Sequence, residues 1–588
     1  PLHVAVGPMT PAHLLMIEIT LALGCESELP LLTHRWSSGS CCGPNGQIQS
    51  DNTTAYIAQV GWLPRSERRP SYTNGANYHG PCTAICAPSY QGCSRLPGRD
   101  TAPSYKQCAT GDFCNWGIFA NECVLMPAVD NPQVRVAKGL GPRGYDSVRV
   151  SLISRGSSVG GGPSGGFDYD ADFQYRWLQF RLSSSLISAT PGASTSFSYT
   201  MHLAEGMSVT KTLTFTLPAK GVGTSGVLIA DPCINDGMGS NILYCSNFRR
   251  FRTNEWIPGL LNAFASDSSI SFWGTLGDNW YDAHSNLIGG ARKTDGDNVR
   301  FVYSRLSSET LSKIQLMVPG NHDLWDCTRE GYPIVCPAST RDPGGWGVAQ
   351  YYGQDVIAST AVSPYNFSQA PSARGWSVVA PQENFFFYNQ IGDMGFIGFN
   401  GAPSELGYDA LRPSFEMACT WMGAQADIKV VFMLSHYDNV GFGSTADTTG
   451  PGAYLKVREM PGCDQFDANG MLKFVVGHTH CNSKDLYATE APVVGVGTGF
   501  RVAGMGMAAG GGEPGAECEK MSANNNFGIP VFDTAGGRLQ IWHFKVGDTT
   551  DSAAELEARY EAIVSCVRAN GWRACTAMAE VWLDQPLV

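Results

Sequence analysis

Residues 270–282 read Ile-Ser-Phe-Trp-Gly-Thr-Leu-Gly-Asp-Asn-Trp-Tyr-Asp, an apolar run that leads into Gly277-Asp278. The same arrangement, a short apolar run followed by polar side chains, recurs along residues 226–480. Buried strands of parallel sheets have this composition, and they deliver polar residues at their carboxyl ends to the active sites of α/β proteins. The sequence therefore predicts an α/β domain whose site is built from five blocks: Asp231, Gly277-Asp278, Gly320-Asn321-His322-Asp323, Ser435-His436 and Gly477-His478-Thr479-His480.

The polar residues in these blocks are of the kinds that bind transition metals. Carboxylate, amide and imidazole donors suit a pair of borderline metal ions, with one carboxylate bridging them. The phenol of Tyr281, three residues after Asp278, adds a donor that a ferric ion favours. The sequence thus indicates two metal ions and seven candidate ligands: Asp231, Asp278, Tyr281, Asn321, His436, His478 and His480.

Each block taken alone has a simpler explanation. An aspartate at the end of a strand is commonly a turn or cap residue, and a single buried histidine is commonly structural. Gly-His-x-His also occurs in surface turns, whereas Gly-Asn-His-Asp is rarer. The joint occurrence of all five blocks in order, each after an apolar run, is what favours a metal centre.

In these blocks the chain resembles the calcineurin-like metallophosphoesterases, and among them the purple acid phosphatase branch, whose pattern is D…GDxxY…GNH(D/E)…H…GHxH. Tyr281 matches the tyrosine that distinguishes this branch. Other branches carry a histidine two residues after the first aspartate, where this chain has Cys233. The resemblance covers roughly residues 221–545, and it implies an α/β (α+β) core of the four-layer β-sandwich type.

The resemblance also implies a role for each residue. Asp278 would bridge a ferric ion and a second ion of iron, zinc or manganese. The other ligands would be Asp231, Tyr281 and His480 for the ferric ion, and Asn321, His436 and His478 for the second ion. His322 would position the phosphoryl group or protonate the leaving oxygen, so Asp278 and His322 are the candidate catalytic residues. The implied reaction is hydrolysis of a small phosphomonoester through a metal-bridging hydroxide.

The first block departs from the pattern of the purple branch. It reads Ile229-Ala230-Asp231-Pro232-Cys233, without the usual Gly-Asp-Trp-Gly context. Asp231 is the preferred ligand because it directly follows the apolar run, and Asp236 is the alternative. Cys233 could pair with Cys245 or lie near the metal.

Two other functions remain open from the sequence. The same metal centre would support a phosphodiesterase or nucleotidase. A cell-surface or assembly scaffold built on a phosphatase-like domain is the second, because residues 1–220 are unlike a minimal phosphatase. A scaffold is free to lose ligands, and the presence of all seven therefore favours an enzyme.

The composition excludes several classes of protein. Of the 588 residues, 43% are apolar and 16% charged, which is typical of folded domains rather than of disordered polyelectrolytes. Forty basic against 52 acidic side chains give a net charge of −12, which argues against nucleic-acid binding by bulk charge. The longest strongly apolar stretch, Leu14–Leu23, is too short to form a transmembrane segment.

The cysteines indicate the compartment. Nine of the 19 precede residue 124, and their spacing favours a disulfide framework in an oxidising environment. Asn52 and Asn366 begin N-glycosylation sequons, and the chain starts at Pro1 without a leader, which favours a secreted, extracellular or luminal protein whose signal peptide has been removed. Two disulfides are predicted across short loops: Cys327–Cys336 and Cys566–Cys575.

The sequence predicts four regions. A Cys-rich disulfide module, which could also bind a protein partner, covers residues 1–125, and an all-β, sandwich-like module covers residues 126–220. The metallophosphoesterase catalytic domain follows over residues 221–548, and a helical tail covers residues 549–588.

Overall fold

The structure is a computed structural model. It describes residues 94–95, 104–107, 113–116, 121–122, 133–154, 159–161, 166–167, 169–175, 178–202, 208–232, 252–278, 305–320, 386–399, 408–438, 446–478, 482–484, 499–501, 526–548 and 550–588. The chain divides into two compact units, Pro1–Asn131 and Pro132–Val588.

In the first unit, the described residues form an antiparallel sheet with the strand order β1-β2-β3-β4. Its strands are β1 (Ser94–Arg95), β2 (Ser104–Gln107), β3 (Phe113–Trp116) and β4 (Asn121–Glu122). The predicted cysteine pairing of this region lies outside the described residues.

The larger sheet of the second unit, here called sheet A, has the order β23-β22-β21-β12-β13-β14-β5-β6-β9-β8 among the described residues. The neighbours β12, β13, β14 and β5 pair in parallel, and the outer pairs are antiparallel. Its strands are β5 (Gln133–Lys138), β6 (Ser147–Ser154), β8 (Tyr169–Tyr175), β9 (Leu178–Ser188), β12 (Ser225–Ile229), β13 (Ile270–Leu276), β14 (Ile314–Val318), β21 (Asn526–Asp533), β22 (Arg538–Asp548) and β23 (Glu580–Pro586).

A second sheet, sheet B, has the order β15-β16-β17-β18-β20-β19, with β16, β17, β18 and β20 parallel. Its strands are β15 (Phe386–Ile391), β16 (Met394–Phe399), β17 (Val430–Leu434), β18 (Leu472–Val476), β19 (Ser483–Lys484) and β20 (Gly499–Arg501). A small antiparallel sheet of the order β11-β10-β7 is made of β7 (Val159–Gly161), β10 (Ser194–His202) and β11 (Ser208–Thr216).

The described residues also form α-helices and short 3₁₀ helices. The α-helices are α1 (Thr253–Ala265), α2 (Ser308–Leu311), α3 (Tyr408–Gly423), α4 (Gly450–Val457), α5 (Asp464–Ala468) and α6 (Ala553–Asn570). The 3₁₀ helices are Gly141–Arg143, Ala446–Thr448, Ala535–Gly537 and Trp572–Met578.

Sheets A and B face each other through aromatic side chains. The ring of Phe272 on β13 lies 5.1 Å from that of Phe396 on β16, and Phe432 on β17 lies 5.4 Å from Phe532 on β21. Strands β12, β14, β17 and β18 are buried along their whole length, as is typical of parallel strands covered on both faces.

Helices cover the two outer faces. Phe396 points toward sheet A, so a Cβ on its neighbour Gly395 would point to the opposite face of sheet B. There it would lie 2.6 Å from Met422 Sδ on α3. On the other side, Phe264 of α1 packs against Phe544 of β22 with ring centroids 5.0 Å apart. The layers therefore run helices, sheet A, sheet B, helices, a mixed α/β architecture.

Hydrogen bonding crosses the region boundary that was predicted at residue 220. Strands β5, β6, β8 and β9 belong to sheet A, where Val136 of β5 pairs with Ile314 of β14. The remaining described strands of residues 126–220 form the small sheet of β7, β10 and β11. Alternating apolar and polar residues predict that a segment is a strand but not which sheet it joins.

The tail differs in part from its prediction. Helix α6 is followed by the 3₁₀ helix Trp572–Met578, but the chain then forms β23 and pairs with β22 at the edge of sheet A. The predicted disulfide Cys566–Cys575 is confirmed. Cys419–Cys463, which joins α3 to the start of α5, was not predicted, and Cys327–Cys336 lies outside the described residues.

No helix in the described part of the chain is long and apolar enough to cross a membrane.

Candidate metal centre

The candidate site lies where the carboxyl ends of strands from both sheets come together. Asp231 and Asp278 follow β12 and β13 of sheet A, and His436 and His478 follow β17 and β18 of sheet B. Each pair sits at the end of two neighbouring parallel strands, the position at which open α/β sheets place their ligands. The two facing sheets thus contribute one acidic pair and one histidine pair to the same place.

The backbone at these residues is unusual. Asp231, Asp278 and His478 have φ values of 48°, 50° and 73°, and among the described non-glycine residues only Arg252 also has a positive φ. L-residues rarely adopt this left-handed conformation, because it costs free energy unless the surrounding structure holds it. Its concentration at the ends of β12, β13 and β18 shows that the strand-to-loop turns are built to aim these side chains.

Asp278, His436 and His478 form a compact donor cluster. His436 Nε2 lies 3.2 Å from Asp278 Oδ2 and 3.3 Å from His478 Nδ1. One ligand atom from each of the three residues falls within 4.8 Å of the other two. Asp278 and His436 are fully buried, whereas His478 is half-buried.

The other ring nitrogen of His436 contacts the backbone of sheet A. Its Nδ1 lies 2.8 Å from the carbonyl oxygen of Leu276, the last residue of β13. Because a carbonyl oxygen can only accept, Nδ1 carries the proton and Nε2 is the nitrogen directed at the cluster. A hydrogen bond of this kind fixes both tautomer and ring orientation of metal-binding histidines.

Asp231 lies beside the cluster and is fully buried. Its Oδ2 accepts a hydrogen bond of 2.8 Å from the backbone N–H of His478, and its own N–H donates to the Gly277 carbonyl at 3.0 Å. The alternative residue of the first block, Asp236, lies outside the described residues. The geometry therefore brings Asp231 to the site.

Two glycines allow this close approach. A Cβ on Gly277, where φ is 91°, would lie 2.5 Å from His436 Nδ1, and one on Gly477 would lie 2.6 Å from Asp231 Oδ2. A side chain at either position would overlap a site residue of the other sheet. Glycine is required at Gly277 for a second reason, since other residues rarely adopt that φ.

The charges of the cluster are strongly coupled. Burial opposes the charged form of His436, but the carboxylates of Asp278 and Asp231 outweigh burial and raise the pKa of this imidazole to about 10. Burial, together with the charge of His436, lowers the pKa of His478 to about 4. Two buried carboxylates thus draw one positive charge into the cluster.

A metal ion fits this donor set. Buried carboxylates require a compensating cation, and in the metal-free protein a proton on His436 supplies it. Carboxylate oxygen and imidazole nitrogen are ligands of zinc, iron and manganese, and Asp278 has a second oxygen with which to bridge two ions. The side chains at the cluster can therefore hold a metal in place of the proton.

The other predicted site residues lie outside the described part of the chain. The structure brings together Asp231, Asp278, His436 and His478. It gives no placement for the remaining ones: Tyr281, Asn321, His322, His480, Asn52 and Asn366.

The sequence analysis missed one residue of the site, Tyr437. Its ring lies 4.7 Å from that of His478 and 5.5 Å from that of His436. Its position next to His436 is the only sequence feature that could have indicated a place at the site. A tyrosine after an apolar strand is usually a core residue, so this feature is not specific.

Comparison with known proteins finds similarity at the level of solved structures. No protein-family model matches the chain, and no curated protein matches it. One similar structure is the purple acid phosphatase PPD1 from yellow lupin (Lupinus luteus) seeds, with 14% identity and a TM-score of 0.45 over 77% of this chain and 86% of that one. Another is PhoD, with 11% identity and a TM-score of 0.40 over 72% of this chain and 88% of that one.

Proposed function

We propose that this chain is a dinuclear-metal phosphatase that hydrolyses phosphomonoesters. The observation that carries the proposal is the convergence of Asp278, His436 and His478 within 4.8 Å, at strand ends of two facing sheets. These three residues belong to three separate sequence blocks of the purple acid phosphatase pattern. A scaffold protein would have no need to bury carboxylates beside histidines in this way.

The proposed ligand sets follow the resemblance. Asp278 would bridge two ions. Asp231, Tyr281 and His480 would hold the first, a ferric ion, and Asn321, His436 and His478 would hold the second, an ion of iron, zinc or manganese. The contacts of Asp278 with His436 support its place next to the second set. The hydrogen bond from His478 to Asp231 supports the nearness of the two sets.

The residues of the chain have distinct tasks in this proposal. Bound metal ions would lower the pKa of a water molecule and neutralise the phosphate oxygens. Asp278 and Asp231 supply negative charge, and the Leu276 carbonyl holds His436 with Nε2 toward the site. His322 would position the phosphoryl group or give a proton to the leaving oxygen.

The proposal includes the compartment and the architecture. Two disulfides in the described residues support an oxidising environment, and we propose a secreted or luminal glycoprotein modified at Asn52 and Asn366. The two facing sheets with outer helices support the four-layer metallophosphoesterase core, and sheet A extends it beyond residues 221–548, because β5, β6, β8, β9 and β23 belong to that sheet. Residues 1–125 are proposed to form the Cys-rich module.

Metal analysis of the purified protein tests the proposal most directly. We expect two transition-metal ions per chain, a visible absorption band, and hydrolysis of p-nitrophenyl phosphate. Asp278→Ala should lower both metal content and hydrolysis, the latter by more than roughly tenfold, because the only shared protein ligand is removed. The matched control is Asp427→Asn, at an exposed ion pair with Lys220, which should leave both unchanged.

The outcomes separate the alternatives. Hydrolysis of bis-p-nitrophenyl phosphate in preference to the monoester would indicate a phosphodiesterase. Bound metal without hydrolysis of either ester would indicate a scaffold, and an Asp278→Ala protein with nearly full activity would place the centre elsewhere. A Tyr281→Phe variant should lose the visible band, and a colourless, metallated, active wild type would contradict the ferric phenolate.

A further inference from the structure

Tyr437 is a buried aromatic residue whose role no sequence block explains. It follows His436 directly at the end of β17, and it is among the largest side chains with no exposed surface in the described residues. Its ring lies against the imidazoles of His436 and His478 at the candidate metal centre.

Three rings contact one another at this point. Tyr437 and His478 meet nearly at right angles, at 84° with centroids 4.7 Å apart. His436 and His478 meet at 78° and 5.1 Å, and Tyr437 and His436 at 50° and 5.5 Å. The two contacts of His478 are edge-to-face, and because such contacts are directional, they limit the rotation of its ring.

Different contacts hold the backbone and the ring of His478. Its backbone adopts φ of 73°, and its N–H is held by Asp231. That bond fixes the main chain, and the side chain contacts Tyr437 and His436, whose Nε2 lies 3.3 Å from His478 Nδ1. His478 is also half-buried, unlike His436, whose ring is held by the Leu276 carbonyl.

Tyr437 is itself anchored by a rigid element. Its carbonyl oxygen accepts a 2.9 Å hydrogen bond from the N–H of Gly450, the first residue of α4. A Cβ on Gly450 would collide with Val476 Cγ1, so α4 begins directly against the end of β18. The Thr449 hydroxyl caps the helix by accepting from Gly452 N–H at 3.1 Å.

We propose that Tyr437 is a positioning residue of the metal centre, whose ring holds the His478 imidazole so that Nδ1 faces His436 Nε2. The inference rests on the proposed function only in requiring that the cluster binds metal. The ring, and not the hydroxyl, performs this task, because the contacts to both histidines are ring contacts. Loss of the Tyr437 ring would remove one of the two ring contacts that orient the His478 imidazole.

Two substitutions separate the ring from the hydroxyl. Tyr437→Phe keeps the ring, and Tyr437→Leu removes it while keeping an apolar side chain. The proteins are stripped with a chelator and titrated with Co²⁺, whose visible spectrum reports ligand number and geometry. We expect the Phe variant to match the wild type. The Leu variant should bind the more weakly held of the two Co²⁺ ions roughly 10–100-fold less tightly, and its visible spectrum should change.

Phe415→Leu is the matched control. Phe415 is a fully buried ring on α3, in contact with Phe386 and Phe399 on the far side of sheet B. This variant should lose stability but keep wild-type Co²⁺ affinity and spectrum. If Tyr437→Leu does not fold, Tyr437→Met, which also lacks a ring, takes its place in the same titration.

Several results would overturn the proposal. Equal Co²⁺ affinity in wild type and Leu variant would show that Tyr437 only packs, and equal losses in Phe and Leu variants would assign the effect to the hydroxyl. Neither result bears on phosphatase activity. Conversely, a wild type that binds Co²⁺ but hydrolyses no phosphoester would refute the proposed function and leave this comparison intact.

Discussion

The backbone N–H of His478 donates a 2.8 Å hydrogen bond to Oδ2 of Asp231, and this bond joins sheet B to sheet A at the candidate metal centre. A second bond, from His436 Nδ1 to the Leu276 carbonyl, also joins sheet B to sheet A at this centre. Each sheet therefore holds a residue of the other in position. The geometry of the centre depends on how the sheets are docked, and metal binding should in turn stabilise that docking.

The first prediction isolates the bond between Asp231 and His478. Asp231→Ala leaves the His478 N–H without its acceptor, whereas Asp231→Asn keeps a side-chain oxygen and removes only the charge. In the metal-free protein we expect the Asn variant to be more stable than the Ala variant by about 1–3 kcal/mol, as for a buried donor left unpaired. Urea unfolding in the presence of a chelator measures this, and equal stabilities would mean that the bond contributes nothing.

The second prediction concerns Gly277. Its φ of 91° and the contact of a Cβ with His436 Nδ1 at 2.5 Å should make Gly277→Ala destabilising by about 3 kcal/mol or more, through backbone strain plus overpacking. The substitution should also displace His436 and lower the metal content.

Gly470→Ala is the control for Gly277→Ala. Gly470 has φ of 66°, and nothing lies within 4 Å of the position of its Cβ. It should show only the strain of the left-handed conformation, about 1–2 kcal/mol, and bind metal normally. Similar losses in both variants would show that overlap of the Cβ with His436 and with the Gly320 backbone adds nothing to the strain.

The third prediction is a pH dependence of stability at Asp393. This buried residue in the β15–β16 turn accepts a hydrogen bond from the Thr534 hydroxyl. Burial raises its pKa to about 6, the nearby charge of Asp533 adds to the rise, and the Thr534 bond and Lys429 oppose it. A carboxyl whose pKa is raised on folding binds its proton more tightly in the folded state.

Stability from Asp393 is therefore greatest in acid and falls as pH rises from about 4 to 6, by at most about 3 kcal/mol. Asp393→Asn cannot ionise and should remove this part of the slope. Urea unfolding of both proteins from pH 4 to 7 gives the difference between their free energies of unfolding. The metal-centre residues titrate in the same way in both proteins, so their contribution cancels. Parallel curves for the two proteins would contradict the prediction.

The fourth prediction ranks the two disulfides. Cys419–Cys463 closes a sequence separation of 44 residues, and Cys566–Cys575 one of 9. Loop-closure entropy predicts that removing the first by a double Cys→Ala substitution costs about 4 kcal/mol, and removing the second about 3 kcal/mol. Unfolding of the two double variants tests the order, and a larger loss for Cys566–Cys575 would show that native packing outweighs loop length.

The two disulfides also show which contacts can be predicted from local sequence. Cys566 and Cys575 were paired from the sequence because so short a loop leaves few other partners. Cys419 lies on α3 and Cys463 precedes α5, and between them Gly462 lets the chain approach the Cys419 carbonyl closely. Such a contact depends on helix packing, which has no local signature.

Strand β23 illustrates the same limit. Residues 580–586 read Glu-Val-Trp-Leu-Asp-Gln-Pro, which lacks the alternation of apolar and polar residues that predicts a strand, and the sequence places them in a helical tail. Pairing with β22, in which Ile541 lies opposite Leu583, makes the segment a strand. Strand propensity is context-dependent, because the partner strand supplies the hydrogen bonds and the packing.

An apolar strand and the polar residue at its end are neighbours in the chain, so the sequence alone offers such residues as candidates for the site. Asp231, Asp278, His436 and His478 could be identified in this way. Two contacts could be found only in the folded chain: the His478 N–H meets Asp231, 247 residues away, and Tyr437 packs on His478. Both contacts depend on the docking of sheets A and B, which arises from side-chain packing summed over two whole faces and not from any single motif.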